Sequence, residues 1–364
     1  MEPYKISIVL PCYKVAQYIE RCVNSILAQS FSDYEVIIIN DGSPDNLLQV
    51  CEQWQKLPNF KILSFPNQGL SQARNEGLAA AQGKYIYFLD PDDYIEKDAL
   101  STCYQVLKKT NADAIRFGFK STEIESGISW TTVPNKNQGL YSNKEIINYY
   151  MPKFIGHSLI DIEKENFKTL WQRKEFAGVC LFIYKREILI QNNISFPKGV
   201  SLIEDKIFNV KFFCYAQHIE IINQVLYNYL IRPNGLMVGS LRNPRGLIKN
   251  KIDGVIEREK LRELYLKEHE INIFDTYHGS LILSAMELCV KLANINYKEG
   301  YKGLCHYIDH PIVQKSFQNI PANQFHKFPF KIKIAIFLIK NHLSCLLFTG
   351  MYILKRIKKN SFQN

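Results

Sequence analysis

Short apolar runs alternate with amphipathic stretches through residues 1–120, and the alternation predicts its elements directly. Strands are expected at Ile6–Leu10, Glu35–Asn40, Lys61–Phe65, Tyr85–Leu89 and Ala114–Phe119, each too short and too rich in β-branched residues for a helix. Between them, apolar positions at i, i+3 and i+4 predict helices over Val15–Gln29, Leu47–Lys56, Ser71–Gln82 and Asp98–Thr110. Strands and helices in strict alternation build an α/β fold, a mostly parallel sheet flanked by helices.

Beyond this block the pattern changes. From Phe119 to Asn137 the chain is polar and turn-rich, which reads as a connection or loop. Helices are expected at Lys144–Ile160 and Lys185–Asn192, with one or two strands in Ile219–Tyr229. Between them Glu204 and Asp205 open a segment with apolar residues at 207, 208, 210, 212 and 213, and acids in a helix's first turn are favoured by its dipole. A helical stretch from Pro244 to Tyr297 leads into a basic tail. With 364 residues the chain exceeds one average domain. The divisions expected are residues 1–120, 121–240, a helical region 241–325 and a tail 326–364.

Chemistry enters where strands end. In parallel sheets ligands bind beyond the carboxyl ends of the strands, and Pro11-Cys12-Tyr13, Asp41-Gly42-Ser43 and Asp90-Pro91-Asp92-Asp93 each follow a strand, so three polar turns converge on one edge. Three acids within four residues repel one another and raise each other's pKa values. A bound divalent cation, Mn2+ or Mg2+, resolves this, because hard cations take carboxylate oxygens together with substrate phosphates; the alternative is an acidic helix start with one acid as cap. Asp41 either accepts a hydrogen bond from a nucleobase ring N–H or caps its own turn. Arg74 and Asn75 lie at a helix start, where an arginine fork suits phosphate; the alternative is a surface salt bridge.

Ile8-Val9-Leu10-Pro11-Cys12-Tyr13, Asn40 to Ser43, the Asn67-Gln68-Gly69 to Arg74-Asn75 segment, Asp90 to Asp93 and Glu204-Asp205, in this order and spacing, resemble the nucleotide-sugar glycosyltransferases of the family-2 type, over residues 4–235. The resemblance implies a GT-A fold with a Rossmann-like sheet. It also implies that Pro11, Tyr13, Asp41, Arg74, Asp90, Asp92 and Arg232 bind the nucleotide sugar, Asp41 by reading the base, and that Asp92 and Asp93 carry the metal. Uracil is the family's usual base, with guanine or thymine also compatible with Asp41. Asp205 would be the base of an inverting transfer, with Glu204 binding the acceptor or orienting its neighbour. Trp171 and Gln172 either line the acceptor pocket or pack in the core. No Gln-x-x-Arg-Trp follows the acidic pair, so addition of one sugar per encounter is expected, to a glycan or lipid-linked acceptor of a surface polysaccharide pathway in a bacterium. A nucleotidyltransferase is the rival enzyme, disfavoured because Pro11 to Ala16 lacks glycine. The non-enzymatic rival is a membrane-bound scaffold with a dead site.

Composition adds location. Nine scattered cysteines without a CxxC pair suggest buried thiols in a reducing cytoplasm, and the N-terminal residues lack a secretory signal. Of the +10 formal charge, nine units come from Lys and Arg between His310 and Asn364, a stretch without Asp or Glu. The basic residues interleave with Phe, Ile and Leu from Phe328 to Lys359. The uncharged run Asn341 to Leu354 is too short to span a bilayer. Two alternatives remain: peripheral attachment to the anionic inner face of the cell membrane, each Lys or Arg adding about 1 kcal/mol, or a helical hairpin packed on the protein. Nucleic acid is not expected, since it calls for an exposed basic stripe.

Overall fold

Uninterrupted apolar runs become the centre of a ten-stranded sheet. The strands are β1 (Ile6–Cys12), β2 (Tyr34–Asp41), β3 (Phe60–Phe65), β4 (Tyr85–Phe88), β5 (Tyr94–Ile95), β6 (Ala114–Glu123), β7 (Ser129–Thr132), β8 (Gly139–Ser142), β9 (Phe182–Lys185) and β10 (His218–Ile231). This computed structural model describes residues 4–134, 138–156, 158–164, 176–200, 203–232, 244–261 and 274–360. Two units make up the chain: Met1–Tyr150 with Ala177–Gly235, and Met151–Phe176 with Leu236–Asn364.

In the first unit the sheet runs β3-β2-β1-β4-β9-β6-β10-β5, with β7 beside β6 and β8 beside β10. The expected parallel block is β3-β2-β1-β4. Beyond β4 the sheet becomes mixed, because β9 enters antiparallel to both β4 and β6 while β6 and β10 pair parallel. Helices Ala16–Leu27, Leu47–Cys51, Leu70–Ala80 and Ala99–Thr110 connect the strands at the predicted places. The Phe119–Asn137 connection is a correction: β6 continues to Glu123 and turns back as β7, whose residues are largely exposed. An edge strand polar on both faces shows no alternation to read.

One buried polar cluster holds the parallel strands together. Glu35 on β2 is fully buried and accepts from Ser7 Oγ at 2.7 Å, Lys61 Nζ at 2.8 Å and the Gln82 N–H at 2.7 Å, so one carboxylate ties β1, β2, β3 and the end of the Leu70–Ala80 helix. That helix lies close on β1, since a Cβ on Gly77 would come within 2.2 Å of Val9.

The second unit is helical. Pro244–Leu261, Phe274–Leu292, Tyr297–Ile308, Pro311–Gln318, Phe330–Lys340 and Ser344–Asn360 are its longer helices. Leu281, Leu288, Leu304, Tyr307, Val313, Phe317, Ile332, Ile336 and Phe348 form its interior. Among the described residues no helix is long and apolar enough to cross a membrane.

Candidate active site

One strand end and two helix starts meet at one guanidinium. Arg74 lies one turn into the Leu70–Ala80 helix, 2% exposed, over the ring of Phe196 at 5.2 Å. Its Nη1 donates to Asp205 Oδ1 at 2.6 Å and approaches Glu204 Oε1 at 3.5 Å, and its Nη2 donates to Asp90 Oδ1 at 3.0 Å. Glu204 and Asp205 open the Glu204–Tyr215 helix as predicted, and Asp90 follows β4. The side chain of Asn75 exchanges two hydrogen bonds with the backbone of Phe196, at 3.0 and 2.8 Å, which holds that ring under Arg74.

At this hub one guanidinium faces three carboxylates. Burial works against the Arg74 charge, but Asp205, Asp90 and Glu204 together hold its pKa above the ordinary value. Asp205 Oδ2 accepts from the Val179 N–H at 3.1 Å, so both its oxygens are bonded. Burial raises the Asp205 pKa, and Arg74 opposes that shift. Glu204 is different: its Oε2 is buried without a hydrogen-bond partner, and burial followed by the neighbouring Asp205 pushes its pKa up to about 7.

The acidic turn divides its acids. Asp92 forms an ion pair with Arg232, whose guanidinium rests 4.6 Å from the Tyr18 ring centroid, while the Asp92 carbonyl accepts from Arg21 at 2.8 Å. Burial and then Asp90 raise the Asp92 pKa, and Arg232 opposes them. Asp93 is turned inward, accepting from the Tyr227 hydroxyl and from the Leu230 N–H at 2.7 Å.

At the neighbouring strand ends, Asp41 Oδ1 accepts from the Gln68 N–H at 2.8 Å, and Oδ2 from the Gly69 N–H at 2.8 Å and Asn67 Nδ2 at 3.2 Å. Gly42 at φ +63° packs so closely on the Asn67 backbone that a Cβ would meet its nitrogen at 2.7 Å. Pro11 is buried in β1, and Tyr13 just beyond is 43% exposed. The Lys14 N–H donates to Ser43 Oγ at 2.7 Å and ties the two turns together.

The model of the family described as Glycosyl transferase family 2 matches residues 7–191, just over half of the chain. The chain belongs to this family. The uncharacterized glycosyltransferase EpsJ of Bacillus subtilis (strain 168) is 30% identical over 232 residues, 64% of this chain and 62% of EpsJ, so the match leaves more than a third of that relative unspanned. The cholesterol galactosyltransferase of Borreliella burgdorferi is 26% identical over 331 residues, 86% of this chain and 88% of that protein. A crystal structure of S. aureus TarS 1-349 in complex with UDP-GlcNAc is similar with a TM-score of 0.58 at 17% identity, covering 98% of this chain and 92% of that one, a likeness of GT-A fold.

Within this member of the family, Arg74, Asp90, Glu204 and Asp205 come together, as do Asp92 and Arg232. In this structure the Arg74 fork is occupied by three carboxylates. Both oxygens of Asp93 face inward donors from β10. Asp41 spends three of its lone pairs on the Asn67–Gly69 loop and keeps one on Oδ1. Trp171 and Gln172 lie outside the described residues. Nothing in the sequence around Val179 points to a backbone donor for Asp205.

Glu204 makes stability pH-dependent. The folded state keeps its proton up to about pH 7, and the unfolded chain releases it near its ordinary value of 4.5. Its contribution is therefore largest below the lower value, declines as pH rises through this window, and stays lower above it, a change of about 3 kcal/mol for a shift of this size. Urea unfolding from pH 4.5 to 8 should show that decline in the wild type and a shallower one in Glu204→Gln. An equally steep decline in the variant would rule Glu204 out as its source.

Proposed function

We propose that this chain transfers one sugar from a nucleoside diphosphate sugar, UDP-linked, to a hydroxyl of a lipid-linked or surface polysaccharide precursor, with inversion. The observation that carries the reading is the convergence of Asp90, Glu204 and Asp205, distant in sequence, on the buried Arg74. Asp205 takes the acceptor's proton as the hydroxyl oxygen attacks the anomeric carbon from the face opposite the leaving diphosphate. Arg74 and the Val179 N–H aim that carboxylate. Glu204, with an oxygen left over, binds the acceptor hydroxyl or orients Asp205. Exposed Tyr13 stacks on the base, and Asp41 bounds the base pocket with its last lone pair.

Among the described residues no group of three or more His, Cys, Asp or Glu side chains is arranged to hold a metal alone. Asp92 nevertheless fits a cation that draws most of its ligands from a nucleotide: it is a largely buried carboxylate already facing a positive charge, that of Arg232. Asp92 would hold Mn2+ or Mg2+ together with the diphosphate, and the cation would stabilise negative charge on the departing nucleotide. Asp93 braces the turn from behind. Arg232 is placed to exchange Asp92 for the diphosphate.

The lipid-linked acceptor is supported by the Borreliella relative, whose name specifies a sterol acceptor. It agrees with work at an anionic membrane surface, the inner face of a bacterial cell membrane, reached through the basic C-terminal segment.

Calorimetric titration with UDP, GDP and dTDP, with and without Mn2+, tests the donor site. UDP should bind, and either omission of Mn2+ or Asp92→Asn should weaken binding at least tenfold. Preference for GDP or dTDP would replace uracil. Failure of all three to bind would favour an inactive scaffold.

A further inference from the structure

The C-terminal helix Phe330–Lys340 has two apolar faces, and Ser344–Asn360 exposes an apolar stripe of its own. In the first, Ile332, Ala335, Ile336 and Ile339 point inward and are buried, which completes the requirement of an ordinary packed helix. The opposite face, expected to be polar, carries Phe330, Ile334 and Phe337 at i, i+4 and i+7, with Phe330 75% and Phe337 56% exposed. In the second helix Ser344 and Phe348 are buried, while Leu346, Ile353 and Leu354 are exposed, Leu346 at 57%. Leu343 between the helices is exposed as well. Two exposed phenylalanines and several aliphatic side chains at helical spacing leave an apolar stripe uncovered on each helix among the described residues.

The charges beside it indicate its occupant. Lys331, Lys340 and Arg356 are exposed, Lys333 and Lys355 partly so, and the chain has no Asp or Glu after Asp309. A second copy docking through this face would bring two sets of these cations together, which like-charge repulsion opposes. Anionic lipid headgroups neutralise them while acyl chains receive the apolar side chains.

We infer that the exposed stripes of these two helices are an interfacial docking surface for an anionic phospholipid bilayer, with Phe330, Ile334, Phe337, Leu346, Ile353 and Leu354 entering the headgroup boundary. This rests on the membrane attachment proposed above and adds the residues that make it. The helices lie along the surface, being too short in apolar length to cross it.

Flotation of the full chain with phosphatidylcholine vesicles, with and without phosphatidylglycerol, tests the assignment. The wild type should float with the anionic vesicles, bind pure phosphatidylcholine at least tenfold more weakly, and be released by high salt. Phe330→Ser with Phe337→Ser should lose at least tenfold in binding to anionic vesicles while keeping wild-type UDP affinity, because both side chains are exposed. Lys331→Gln with Lys340→Gln should lose the preference for anionic lipid. Wild-type flotation of the phenylalanine pair would overturn the docking face and leave membrane attachment standing. A wild type that ignores anionic vesicles at low salt would overturn both. Dimerisation abolished by the phenylalanine pair, without vesicle binding, would give the face to a second copy instead.

Discussion

Arg74→Ala is expected to destabilise the sheet-bearing unit by about 3–5 kcal/mol, because removing one partner from a buried ion cluster strands the others. Three carboxylates depend on this guanidinium, two of them through hydrogen bonds of 2.6 and 3.0 Å. Burial already raises the pKa of both Asp205 and Glu204. Without Arg74 they lose their shared cation and hold protons to still higher pH, so the loss should be larger at pH 8 than at pH 5. Arg74→Lys should recover only part of it, since an ammonium is one point of charge and cannot span acids on two sides as the fork does. Fluorescence of Trp54, buried in the same unit, reports the unfolding. A melting curve for Arg74→Ala that overlays the wild type at both pH values would show that the acids are balanced by something else.

How much of this hub was legible beforehand follows from where its information resides. Helix and strand positions in the first 120 residues come from local periodicity, and β1 to β4 and their helices lie within a few residues of the predicted places. The types of site residue are local too: acids at strand ends and at a helix start can be read directly. The partner each acid selects is not local. Asp93 meets Tyr227 and Leu230 from β10, and Asp205 meets Arg74 and Val179, contacts made only when the mixed half of the sheet closes. Adjacent acids such as Asp92 and Asp93 therefore look equivalent in sequence, yet one pairs with Arg232 and the other is turned into the interior. The short strand β9 shows the same limit in the fold. Its apolar run is visible in sequence, but four residues carry no sign of the antiparallel pairing that inserts it between β4 and β6.

Asp205→Asn should reduce kcat by about 10²–10⁴, the usual contribution of a positioned general base, and leave UDP affinity within a few-fold of wild type. The substitution keeps size and shape. It removes basicity, and it places an amide donor against either Arg74 or the Val179 N–H, because the native carboxylate accepts from both. That mismatch costs about 1–3 kcal/mol of stability, small enough for the variant to be assayed folded. The informative comparison is Glu204→Gln. Glu204 is the more buried of the pair, its side chain 8% exposed against 23% for Asp205, and its Oε2 has no partner. If Glu204 orients or binds while Asp205 takes the proton, Glu204→Gln should lower kcat far less and should alter the limb of the pH–rate profile near pH 7, where its own carboxyl titrates. Should Asp205→Asn transfer sugar at the wild-type rate while Glu204→Gln loses three orders of magnitude, the roles are exchanged, and the unpartnered oxygen of Glu204 is the one that receives the acceptor's proton.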